Sequence, residues 1–132
     1  MKLRIKGNSI RLRLGRSEVR RLATEGIVEE STAFGASQKE RLGYSIRASP
    51  EFHIVSTSFA DRRIVVCVPR SLVQSWAATD QVGIQTTQST GAGELQILIE
   101  KDFECIEPMP GESQEDAFPR PLTADACPPG GR

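Results

Sequence analysis

Moved forward by 54 residues, the sequence falls on itself. Across residues 10–25 and 64–79, Ile10 meets Ile64, Arg16 meets Arg70, Ser17 meets Ser71, Val19 meets Val73 and Ala23 meets Ala77. Leu12, Leu14 and Leu22 meet Val66, Val68 and Trp76, so apolar positions match even where residues differ. Five identities in sixteen positions, with the core pattern kept, read as an internal duplication. A half of about 50 residues buries too little surface to stand alone. Two halves related by a pseudo-twofold can bury their apolar faces against each other. The expected fold is mainly β (α+β): a compact β-barrel of two duplicated β-β-α-β-β halves with two short helices.

The local pattern gives the same order twice. Lys2–Lys6 and Ile10–Leu14 alternate polar and apolar residues, which predicts half-buried strands with Leu3, Ile5, Ile10, Leu12 and Leu14 inward. Gly7-Asn8-Ser9 between them suits a tight hairpin turn. Val19, Leu22 and Ala23 have the spacing of a short amphipathic helix over Arg16–Glu25, and Gly26 ends it. Ile27–Phe34 and Leu42–Ala48 read as strands. The second half repeats the order: strand Phe52–Phe59, turn Ala60-Asp61-Arg62, strand Arg63–Val68, then a helix from Pro69 whose face is Leu72, Val73, Trp76 and Ala77. Val82–Thr87 and Leu95–Glu100 are its last two strands.

The net charge of zero hides a gradient. Residues 1–21 carry eight basic groups against one acid, Glu18. Residues 100–127 carry eight acids against Lys101 and Arg120. Such asymmetry points to an anionic partner for the front of the chain, or to the acidic segment folding back on it. From Glu107 onward the chain carries six of its eight prolines and loses apolar periodicity. The expected division is one β-rich domain over residues 1–106, with halves 1–51 and 52–106. An extended or disordered acidic Pro/Gly-rich tail over 107–132 follows it, with Phe118 as its one bulky apolar anchor.

No apolar run approaches the roughly 20 residues of a membrane helix. No apolar segment follows the basic N-terminal residues as a secretory signal would have it. The three cysteines (Cys67, Cys105, Cys127) lack CxxC spacing, which suits a reducing cytoplasm and neither a disulfide scaffold nor a zinc site. Cys67 reads as a small core hydrophobe, and His53, the only histidine, as a partly exposed packing residue. No cofactor or metal is expected, and no P-loop, GxSxG, GxGxxG or HExxH occurs.

The run Lys6-Gly7-Asn8-Ser9-Ile10-Arg11-Leu12-Arg13-Leu14, followed by a helix from Arg16-Ser17, resembles the N-terminal module of the AbrB/MazE-type swapped-hairpin family. The segment from Asp61 through Pro69-Arg70-Ser71-Leu72 to Trp76 and Asp80-Gln81-Val82 resembles it again. The two matches cover about residues 3–33 and 59–87. The resemblance implies a barrel of two units with exchanged hairpins, both in one chain as a covalent pseudo-dimer. It also implies DNA binding through Lys6, Asn8, Ser9 and Arg13. This chain departs from the family pattern where Gly15 replaces the proline before the first helix, although Pro69 keeps it in the second half. Arg11 and Arg13 meet Val65 and Cys67, so the second half lacks the basic stripe. The whole chain also resembles a family of small bacterial proteins without assigned function. That likeness rests on its opening Lys-Leu-Arg-Ile-Lys-Gly-Asn-Ser and on Glu100-Lys101-Asp102-Phe103, and it carries no chemistry.

Three functional readings follow. In the first, a small, non-catalytic, cytoplasmic DNA-binding or regulatory protein presents Arg4, Lys6, Arg11 and Arg13 as a cationic ribbon along phosphates. Asn8 at the turn would donate to a phosphate or base edge, and Ser9 completes the candidate set. The overall pI of about 6.6 is below that of a strongly basic domain, and the plain alternative is an outer sheet face whose arginines pair with Glu29, Glu30, Glu40 or the acidic tail. The second reading is a protein-interaction module, antitoxin-like or regulatory, acting through the acidic tail, as a monomer or a homodimer. The third is an enzyme acting on a phosphate or polyanion. It lacks the Glu-x-Glu strand that such metal-dependent sites use, and Glu100 and Asp102 are its nearest acidic pair.

Overall fold

The computed structural model describes residues 1–103 and 116–119. In chain order the elements are β1 (Lys2–Lys6), β2 (Ser9–Leu14), α1 (Arg16–Glu25), β3 (Ile27–Ala33), β4 (Arg41–Ser49), β5 (Ser56–Ala60), β6 (Arg63–Pro69), α2 (Arg70–Ala78), β7 (Gly83–Thr90) and β8 (Gly93–Lys101). A 3₁₀ turn at Gln38–Glu40 lies between β3 and β4.

The strands form two four-stranded sheets, ordered β1-β2-β8-β7 and β3-β4-β6-β5. Each sheet joins a hairpin from the first half to a hairpin from the second. The seams are the parallel pairs β2/β8 and β4/β6, and every other pair is antiparallel. A parallel pair cannot be closed by a tight turn, so each seam ties distant parts of the chain together. The two sheets and both helices share one core. It takes Ile10, Leu12 and Leu14 from β2, Ile97 and Ile99 from β8, Val28, Ile46, Val66 and Val68 from the other sheet, and Val19, Leu22, Val73 and Trp76 from the helices.

The expected closed barrel is corrected here. No ladder joins the two sheets among the described strands. The outer strands β1 and β5 are only five residues each, and the helices complete the burial that a closing ladder would otherwise supply. Trp76 is fully buried, and its indole N–H donates to the Val82 carbonyl at 3.0 Å.

Local chemistry sets the element ends. The ladder pairs Lys6 with Ser9 and Ala60 with Arg63, so Gly7-Asn8 and Asp61-Arg62 are two-residue turns. Gly7, Asp61 and Arg62 all have positive φ (54°, 52° and 61°), as tight hairpin turns require. Gly26 ends α1 in the left-handed region at φ 82°, its N–H donating to Leu22. Gly15 at the N-terminus of α1 has no capping side chain, and Glu18 within the first turn accepts from the Gly15 N–H at 3.0 Å. Asp116 supplies the cap from 99 residues away: its carboxylate accepts from the Ser17 N–H at 3.1 Å and from the Ser17 hydroxyl at 2.8 Å. Its carbonyl accepts from Arg16 N–H at 2.8 Å. A Cβ on residue 15 would stand 2.7 Å from that carbonyl, so only glycine admits the approach.

Four local expectations shift. β5 begins at Ser56 and not at Phe52, because Ser49 draws the preceding backbone into a turn: its hydroxyl accepts from Glu51 N–H and its carbonyl from Phe52 N–H. Leu72 is 42% exposed, on the outer side of α2 from Val73 and Trp76. Ile5 lies on the inward side of β1 but is 59% exposed near the hairpin end. Cys67 is half-buried on the outer face of its sheet beside Arg47 and Ser56, outside the core, and burial pushes its thiol pKa up. Of the acidic tail, residues 116–119 are packed: Phe118 meets Phe103 at 5.8 Å between ring centroids and lies 5.4 Å from the Lys101 ammonium. The remainder of 107–132 lies outside the described residues. No helix among the described residues is long and apolar enough to cross a membrane.

Candidate functional site

The candidate basic face is the outer side of the sheet built on β1 and β2. Period-two alternation puts Lys2, Arg4 and Lys6 beside Arg13, Arg11 and Ser9 across the hairpin. The parallel seam then sets Arg13 beside Glu100, Arg11 beside Leu98 and Ser9 beside Gln96.

The six candidate residues separate into three groups. Arg13 is buried, with its Nε 2.8 Å from Glu100 Oε1. Its charge is paired with Glu100 inside the sheet face. Asn8 and Ser9 serve the turn: the Asn8 amide donates to the Glu94 carbonyl and the Ser9 hydroxyl to the Lys6 carbonyl. Lys6 is exposed, while Arg4 and Arg11 are half-buried. Arg4 and Lys6 make no ion pair among the described residues, and Arg4 stands directly opposite Arg11.

Arg11 is the least settled group on this face. Its Nε is 3.5 Å from the same Glu100 oxygen, and its buried Nη1 has no hydrogen-bond partner among the described residues. Burial lowers its pKa first; the Arg13 and Arg4 charges add to that, against the opposing pull of Glu100. Directly opposed like charges destabilise a cross-strand pair. Two guanidinium groups thus share one carboxylate, with a third, Arg4, standing opposite Arg11. Lys2 has an acid of its own, Asp102, at 3.1 Å. The charge-paired sheet face anticipated as the plain alternative is partly realised. The acid that pairs the arginines is Glu100, where Glu29, Glu30, Glu40 or the acidic tail was expected.

A second polar surface lies on the outer face of the other sheet. It is a groove of about 540 Å³ lined by Arg41, Gly43, Ser45 and Arg47 of β4, Glu29 and Ser31 of β3, and Asp61, Arg62 and Arg63 at the β5–β6 turn, among others. The strand reading had the element but not the site. Residues 41, 43, 45 and 47 alternate onto one face, and that period was the signal available. Among the described residues no group of three or more His, Cys, Asp or Glu could hold a metal ion.

The chain belongs to the family described as Family of unknown function (DUF7009), whose model matches residues 1–122. No curated protein matches the chain, and no solved structure matches it.

Proposed function

We propose that this protein is a small, non-catalytic, cytoplasmic DNA-binding or regulatory protein that engages phosphates through the outer face of its β1–β2 hairpin. The observation that carries the reading is the charge imbalance there: Arg11 and Arg13 share the single carboxylate Glu100, Arg4 stands opposite Arg11, and the Arg11 Nη1 has no partner among the described residues. An added anion would relieve that excess, and a phosphodiester offers acceptor oxygens suited to a guanidinium fork. Arg4, Lys6 and Arg11 make the contacts, while Arg13 fixes Glu100 and the seam.

Two further features support a duplicated, swapped-hairpin origin like that of the AbrB/MazE-type family. Each sheet takes one hairpin from each half. The helices open at Arg16 and Arg70, and the turns Gly7-Asn8 and Asp61-Arg62 hold the same relative places. A single chain that contains both halves is expected to act as a monomer.

The test is fluorescence anisotropy with labelled duplex DNA at low salt, comparing the parent chain with the Arg4→Ala/Arg11→Ala variant. The reading expects saturable binding by the parent and a loss of at least tenfold in the variant. Equal binding by both would overturn the site. The second reading, partner binding through the acidic tail, draws on the packing of Asp116 and Phe118 against the domain. It would take over if the parent failed to bind DNA and the chain captured a basic partner.

A further inference from the structure

We propose that the groove on the outer face of the β3-β4-β6-β5 sheet binds a phosphorylated, hydroxyl-bearing small molecule, independently of the hairpin face. Its phosphate end lies near Gly43. There, Arg41 comes from β4, Arg63 stands opposite Gly43 on β6, and Arg62 comes from the adjoining turn. Three guanidiniums around a tetrahedral anion can supply more N–H donors than its oxygens accept. Arg62 is partly engaged by Asp61 at 3.2 Å and Arg41 by the Ser31 hydroxyl at 2.9 Å, while Arg63 has no ion pair among the described residues.

The floor of the groove is built for contact. Glycine inside a strand weakens it and commonly marks close approach by a ligand or another backbone. Gly43 is the third residue of β4, where a Cβ would be 3.4 Å from Arg63 Cγ. Ser45, two residues along the same face, is only 5% exposed, and its side chain makes no hydrogen bond among the described residues. Ser45 lines the groove, so its hydroxyl is open to an oxygen of a bound ligand. Glu29, paired with Ser45 across the strands, provides an acceptor for a ligand hydroxyl. The volume of about 540 Å³ falls within the range of small-molecule sites.

The test is calorimetric titration of the full chain with ribose 5-phosphate, with ribose and citrate as controls. The proposal expects saturable one-site binding of ribose 5-phosphate and none of ribose or citrate. Arg63→Gln should weaken it at least tenfold, and Gly43→Val, which fills the floor, should abolish it. Arg4→Ala/Arg11→Ala on the opposite sheet should change it by less than twofold. Native folding of each variant is checked by the fluorescence of the single Trp76. Since Arg63 is exposed, Arg63→Gln keeps the test alive if Gly43→Val fails to fold. Absence of saturable ribose 5-phosphate binding would overturn the proposal, as would binding indifferent to Arg63→Gln. Citrate binding of equal strength would overturn the phosphate assignment. Equal weakening by the hairpin variant would reduce the effect to general charge attraction.

Discussion

Glu100 serves two arginines with one side chain, and its removal is the sharpest single-residue test of how the basic face is held. Glu100→Gln leaves Arg13 charged and buried without its counter-ion. The expected cost is about 3 kcal/mol in denaturant unfolding, the scale for breaking a buried pair from one side. Arg11→Ala is expected to cost less than 1 kcal/mol, because it also removes a buried, unpartnered Nη1. Tyr44 gives a pH test at the same scale. Burial raises its pKa above the ordinary 10.0, and the Glu30 charge adds to it. The native state then holds the phenolic proton where the unfolded chain has lost it. Its contribution is fully present below pH 10 and is lost as pH rises through the raised value. Tyr44 is the chain's only tyrosine, so its ionisation can be followed directly by absorbance. Stability should fall less steeply above pH 10 in Tyr44→Phe than in the parent.

α1 and the segment ending in Pro119 form one unit, although nearly a hundred residues separate them. Asp116→Ala removes the cap hydrogen bonds to Ser17 and should cost about 1 kcal/mol. Gly15→Ala drives a methyl into the same aspartate and should displace it. The two substitutions remove one interaction, so their costs should be strongly non-additive in a double-mutant cycle. Additive losses would mean that Gly15 and Asp116 act separately. Elements were the most legible part of the sequence. β1 and α1 fall on their expected bounds, because strict alternation and the 3.6-residue period leave little freedom. The strand read over Phe52–Phe59 begins at Ser56 as β5, because Ser49 holds the preceding backbone in a turn, and that turn is not visible in the residue pattern. The cap from Asp116 could not be read from spacing, since helix-start signals are local and this one arrives through tertiary packing.

For the whole molecule, the order of strands and helices was legible in the sequence, but not how they meet. Period two assigns inward faces, and it does not say which strand lies beside which. The parallel seams pair Arg13 with Glu100 and so decide which arginines remain available. That is why Arg13 looked like a ligand contact in the sequence and is a buried anchor in the fold. The groove around Gly43 was equally hidden, because Arg41 and Arg63 become neighbours only through the β4/β6 seam. In the resulting account, two four-stranded sheets carry two separate basic surfaces, one on each.

The salt dependence of duplex DNA binding tests that account most directly. If Arg4 and Arg11 each neutralise a phosphate, the slope of log K against log salt should be shallower by about 2 in Arg4→Ala/Arg11→Ala than in the parent. Gly43→Val, on the opposite sheet, should keep the parent slope. Identical slopes for the parent and the hairpin variant would contradict the account and leave the arginines of β1 and β2 as an ordinary charged sheet face.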